Sequence, residues 1–427
     1  MALLWPALWN GYPLVYSDTS TYLSSGFVLD TPIDRPITYG IILRITSLNG
    51  LTLWSTVLVQ SWLMAHLLGR LLIGIGLSDA WRRLLVLVAV ALLTGLPFSS
   101  SQLITDIFTP IMGASLFLLL APGWLSRREW IGYSVVFILS YAMHLSHIGI
   151  TVAVLVVSAA MKLILRNRAG MRWSSLALVA ALGAVGVLAM GSALAKAKNT
   201  FFAARMAEHG VLQRYLEKNC ATEELVLCAR MGVIPTSADS FLWADDSPQL
   251  LYADRSAMEA EFARIRAGVL ADPDLAMQLC LGTVKGVGLQ LLRFRPGDGN
   301  GPFGEGTLLH ERLMRFVPLD VGMFMAAKQM QHTPFIAVMP FLGAMHELVM
   351  ITSVFGIIVL LIARRGGITS VAGWLVACLI FFHFLNSALN ASLVMVADRF
   401  AIKTAWAIPF AALVLLVPMR PRTGSKD

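Results

Sequence analysis

The chain has 427 residues, of which 57% are hydrophobic and 14% charged, with a formal net charge of +8 and a mean hydropathy of +0.72. Soluble domains carry about 25% charged residues, so this composition excludes an ordinary soluble enzyme and points to an all-α, polytopic membrane protein. The positive charge does not indicate a nucleic-acid partner, because the basic residues stand in short pairs between apolar runs, as loops under the positive-inside rule do.

No cleavable signal peptide opens the chain. Met1 to Trp9 is apolar but too short for a bilayer core that needs about 20 helical residues; it reads as a half-span or, preferably, as the end of a first helix that begins upstream. A polar loop follows, "NGYPLVYSDTSTYLSSGFVLDTPIDRPITYGIIL", from Asn10 to Leu43. Within it a short helix is expected after Pro36, lying along the interface with Tyr39 and Arg44 near the headgroups. Apolar runs of span length then occur at Leu51–Ile75, Leu84–Ser101, Ile107–Leu125, Trp130–Ser146, Ile148–Leu165, Ser174–Ala195, Met339–Ala363, Thr369–Leu389 and Ala401–Pro418. The fourth and fifth are broken only by the two histidines of "SYAMHLSHIGI", read as a tight turn at the membrane surface.

Residues 196–337 are a composition shift, holding most of the chain's Glu, Asp and Lys. "RSAMEAEFARIRAGVLADPDLAMQLCLGTVKGVGLQLL" has helical periodicity punctuated at Asp272–Pro273. "FRPGDGNGPFGEG" is a Gly-rich loop without the GK[ST] ending of a phosphate-cradling P-loop. The predicted organisation is a transmembrane bundle over 1–195 with its first loop at 10–50, a small helical domain over 196–337 that does not cross again, and a second bundle over 338–427. Arg82–Arg83, Arg127–Arg128, Arg166 with Arg168 and Arg172, Arg364–Arg365, and Arg420 with Arg422 and Lys426 fall on one side when the spans alternate. That side is predicted to be cytoplasmic, with the C-terminus on it. The first loop and the 196–337 domain then lie outside, where Cys220 and Cys228 are expected to pair as a disulfide. Cys280 and Cys378 read as small apolar residues.

The ionisable candidates for chemistry all fall on that outer face: Asp18, Asp30, Asp34, Arg35, Asp106, His144, His147, Asp398, Arg399 and Lys403. Charge at a membrane rim is costly and usually functional, yet each has a plainer reading. Asp18, followed by Thr-Ser-Thr, suits a helix N-cap, and Arg35 before Pro36 suits an interfacial anchor. His144 and His147 suit a surface turn, Asp398–Arg399 a local ion pair, and His346 with Glu347 a wet rim. His383, Asn386 and Asn390 share a helical face and suit interhelical hydrogen bonds. Trp9, Tyr12 and Tyr16 suit an aromatic belt.

"SDTSTYLSSGFVLDTPIDRPITYGIIL" resembles the first extracytoplasmic loop of GT-C glycosyltransferases, membrane enzymes that use polyprenyl-phosphate-linked sugars and include the aminoarabinose transferases and protein O-mannosyltransferases. Asp18, Tyr22 and Asp34–Arg35–Pro36 match the loop's acid, its tyrosine and its acid–base–proline element. "QLITDIFTPIMG" is similar to the second loop and places Asp106, and "ADRFAIKTAWAIPFAALVLL" is similar to an acid–Arg–aromatic element and places Asp398 and Arg399. The resemblance implies sugar transfer from a polyprenyl-phosphate donor to a glycan, lipid or protein acceptor, at the outer face of a bacterial cytoplasmic membrane. In that chemistry Asp18 is the base, Asp34 a second carboxylate, and Arg35, Arg399, His144 and His147 the phosphate-holding set; Tyr22, Asp106, Asp398 and Lys403 stand nearby. It leaves room for a divalent metal and assigns no ligands to one.

Two further function classes fit the same composition. A flippase or transporter of lipid-linked glycans needs charge at mid-membrane and often a repeated topology, and the spans show little of either. A non-catalytic assembly protein needs no first-loop carboxylates. A membrane acyltransferase, resting on His383, is a weaker fit.

Overall fold

The computed structural model describes residues 2–32, 35–121, 123–164, 172–190, 198–363 and 370–416. Asp34, Arg166, Arg168, Arg364–Arg365 and the basic cluster over Arg420–Lys426 lie outside the described residues. Among the described residues the protein is all-helical, and the only extended pairing is a single bridge between Leu14 and Gln102. It is a multi-pass membrane protein, with seven helices among the described residues long and apolar enough to cross a bilayer.

Those helices follow most of the apolar runs: Trp54–Gly74, Ser146–Ile164, Trp173–Met190, Thr333–Ala363, Val371–Leu393 and Asp398–Leu416. The remaining runs are shorter as helices. Leu84–Ser101 is interrupted, because Thr94 is extended between helix Ala80–Leu93 and the short helix Leu96–Ser101, which carries Pro97. Phe108–Leu120 and Arg127–Tyr141 also fall short of span length. The seventh apolar helix, Pro273–Leu292, lies in the stretch expected not to cross.

The chain divides into two compact units. One comprises residues 1–191, 294–386 and 398–427, and the other 192–293 with 387–397. The boundary drawn from composition at 337 therefore moves to 293. The reason is hydrogen bonding of residues 294–337 to the first loop. Buried Asp320 accepts from Tyr12 Oη (3.0 Å), Thr52 Oγ1 (3.3 Å) and Leu53 N (2.7 Å). Gln329 clasps both backbone groups of Val15 (3.1 and 2.8 Å). The second unit has its own core around Leu212, Tyr215, Phe241, Phe262 and Ile265, closed by the Cys220–Cys228 disulfide.

Candidate functional site

Four stretches distant in sequence build one polar cluster in the first unit. Helix Ser17–Val28 starts with the Thr19 hydroxyl accepting the Tyr16 N–H (3.0 Å). Asp18 therefore stands inside the first turn rather than capping it, and its carboxylate turns to cations. Asp18 and Tyr22, four residues apart, share a face of this helix. Helix Thr38–Thr46 crosses it backbone to backbone at Gly26 and Gly40, where a Cβ on Gly26 would stand 2.0 Å from the Gly40 carbonyl oxygen. That close crossing brings Arg35, just ahead of the second helix, back over Asp18. The strap before Ser17 is pinned to the next loop by Leu14 N to Ser101 O (2.9 Å), Leu103 N to Leu14 O (2.9 Å) and Thr19 Oγ1 to Leu103 O (3.0 Å). This sets Thr105 and Asp106 beside Tyr22, whose Oη lies 3.2 Å from Thr105 Oγ1. On helix Asp398–Ala405, Arg399 and Lys403 are again four apart and face the same carboxylates.

The charges alternate. Asp18 Oδ1 is 2.9 Å from Arg35 Nη1, and Asp18 Oδ2 is 3.1 Å from Arg399 Nη2. Asp106 Oδ2 is 3.6 Å from Arg399 Nε, and Asp106 Oδ1 is 3.1 Å from Lys403 Nζ. Three cations face two carboxylates in this series. Exposure falls along the series, from 16–20% at Arg35, Asp18 and Arg399 to 3% at Asp106 and none at Lys403. Aromatic faces back both guanidinium groups: Tyr16 lies 4.1 Å under Arg399 and Tyr22 5.3 Å under Arg35. Gly299, at φ +70°, lets the backbone press on the Tyr16 ring where a Cβ would collide at 1.7 Å. Burial alone would raise the Asp18 carboxyl, but Arg35 and then Arg399 more than offset it and hold the pKa below its ordinary value.

Asp18, Arg35, Tyr22, Asp106, Arg399 and Lys403 are thus brought together. Asp398 is not: its Oδ1 accepts the Arg295 N–H (2.8 Å), and it makes no pair with Arg399. His147 is committed elsewhere, Nδ1–H donating to Ser140 O (2.9 Å) and Nε2 meeting Thr109 Oγ1 (2.9 Å). With both ring nitrogens occupied inside the protein it has no donor for a phosphate. His144 uses Nδ1 on Ser146 Oγ (2.8 Å) and lies 5.5 Å, ring to ring, from His147. Tyr39, expected at the headgroups, is instead fully buried against Tyr22 and Phe108. His346, expected in a wet rim, is 4% exposed. His383 and Asn386 make the interhelical bonds, to Thr404 Oγ1 (3.0 Å each).

Sequence reasoning missed Asp298, which accepts the Arg399 N–H (3.1 Å), and took Tyr16 for a belt aromatic. The only signal for either was the Gly-rich loop "FRPGDGNGPFGEG", whose glycines permit close packing. Among the described residues no three His, Cys, Asp or Glu side chains converge. Asp18 and Asp106 are each paired with cations, a donor set that does not suit a divalent metal. The arrangement can hold an anion through two guanidinium forks and keep one carboxylate within reach of it. No protein-family model, curated protein or solved structure matches the chain.

Proposed function

We propose that the protein is a membrane glycosyltransferase that moves a sugar from a polyprenyl-phosphate donor to a glycan, lipid or protein acceptor at the outer face of a bacterial cytoplasmic membrane. The observation that carries this reading is the Asp18 carboxylate held between Arg35 and Arg399 at a partly exposed position. Two forks converging on one carboxylate also suit a phosphate monoanion, which Arg likewise binds through paired N–H···O bonds. Paired with both arginines, Asp18 is a poor base. A donor phosphate competes for the same N–H groups, draws Arg35 and Arg399 off Asp18, and restores the carboxylate's basicity. Asp18 then takes the proton of the acceptor hydroxyl as its oxygen bonds to the anomeric carbon. The bond from that carbon to the phosphate oxygen breaks, and the electron pair leaves with the phosphate, whose growing charge the two arginines neutralise. Asp106, itself anchored by Lys403, holds Arg399 in place.

Purified protein given a polyprenyl-phosphate sugar and an envelope acceptor should lose transfer by about 10²–10⁴-fold on Asp18→Asn. Arg35→Lys should weaken donor use more than acceptor use, since a point charge replaces a fork. Full transfer by Asp18→Asn protein sinks the assignment. Topology enters the same proposal: a reporter active only in the cytoplasm, fused after Asp427, should work, and silence there puts the site on the wrong side.

One observation bears on the transport reading. Lys403, inside the Asp398–Leu416 span, is fully buried against Asp106. It lies five residues into that span, about 8 Å from its start at roughly 1.5 Å per residue, and so near one rim rather than mid-membrane, which fits an enzyme better than a translocation path.

A further inference from the structure

Helix Pro273–Leu292 has two unlike faces. Leu275 and Leu279 are buried in the second unit's core, and Gly286 and Gln290 are buried on the same face, Gln290 bonded to the Ala397 backbone. The opposite face exposes Met277 (60%), Leu281 (63%), Val284 (64%) and Leu292 (72%), in register with Gly288. This apolar stripe runs nearly the full 20 residues, in a chain that lives in a membrane. We infer that this helix seats its outward face in the interfacial layer of a lipid bilayer, lying along the surface without crossing it. Lys285 flanks the stripe and Arg293 ends it, both exposed and neither in an ion pair among the described residues; they offer cations at headgroup level to anionic lipid. Crossing is disfavoured by the neighbours. Arg214 of helix Val211–Asn219 hydrogen-bonds Gln278, and Lys218 pairs with Asp272 (2.7 Å). A spanning helix would drag these charges into hydrocarbon.

The chain carries its own probe. Cys280 is exposed on the outward side, Cys378 is buried, and the other two cysteines are bonded to each other. The full-length protein, labelled at Cys280 with an environment-sensitive nitrobenzoxadiazole dye, goes into nanodiscs of phosphatidylethanolamine and phosphatidylglycerol. A nitroxide lipid labelled near the headgroup should remove most of the emission, a nitroxide at the chain end less, and aqueous iodide little. Three results overturn the inference: iodide quenching as strong as for free dye, strongest quenching from the chain-end nitroxide, or shielding from all three quenchers, which would mean a second copy or another protein covers the face. Leu281→Glu with Val284→Glu should exchange headgroup-nitroxide quenching for iodide quenching. If that variant misfolds, the native measurement still decides.

Discussion

Lys403 has no exposed surface and Asp106 almost none, so each buried charge needs an opposite one beside it. Removing one partner of a buried pair costs about 3–5 kcal/mol, whereas replacing both is often neutral. Lys403→Met should therefore lower the melting temperature sharply, and adding Asp106→Asn should recover much of the loss; thermal melts of the single and double variants decide. Asp18 differs because its partners are cations at a wetter edge. Its folded pKa lies below its ordinary value of 3.8, so the ionised carboxylate stabilises the fold above that value. The contribution fades only as pH falls through the lower folded pKa. The stability gap between native and Asp18→Asn protein should stay constant from neutral pH down to 3.8 and close below it; a gap that narrows well above that value contradicts the ion pairing. These residues were legible singly, as ionisable groups in rim loops. Their pairing was not, because Lys403 meets Asp106 across 297 positions and Arg399 meets Asp18 across 381.

At the scale of elements, apolar length locates most spans but not their interruptions. Thr94 turns extended inside an apolar run because Pro97 follows too closely for one continuous helix. The Gly26–Gly40 crossing was likewise invisible, since a glycine in a sequence does not announce which backbone will lie against it. Gly26→Ala forces that crossing open, with a cost of about 1–3 kcal/mol for overpacking and displacement of Arg35 from Asp18. Gly132, in helix Arg127–Tyr141 with open space around it, is the matched control, and Gly132→Ala should be neutral or gain about 0.5–1 kcal/mol. Chemical denaturation of the two variants checks both; equal behaviour would mean the crossing is loose.

At the scale of the molecule, two units and one disulfide emerge from a chain whose composition shift marked only one of the boundaries. The boundary at 293 was hidden because residues 294–337 share the polar composition of the 196–337 stretch, while Asp320 and Gln329 tie them to the first loop. Short spacing did expose the Cys220–Cys228 pair. Removing it with Cys220→Ser and Cys228→Ser should cost about 2–3 kcal/mol for so short a loop, read as faster proteolysis within residues 192–293. The long reach of the Asp18–Arg399 pair, 381 positions, also has a meaning in time. A ribosome adds about 5–20 residues per second, so Asp18 emerges on the order of 20–80 s before Arg399 exists. For that interval the first loop must wait as an incomplete surface, and the site closes only when the last helix enters the membrane.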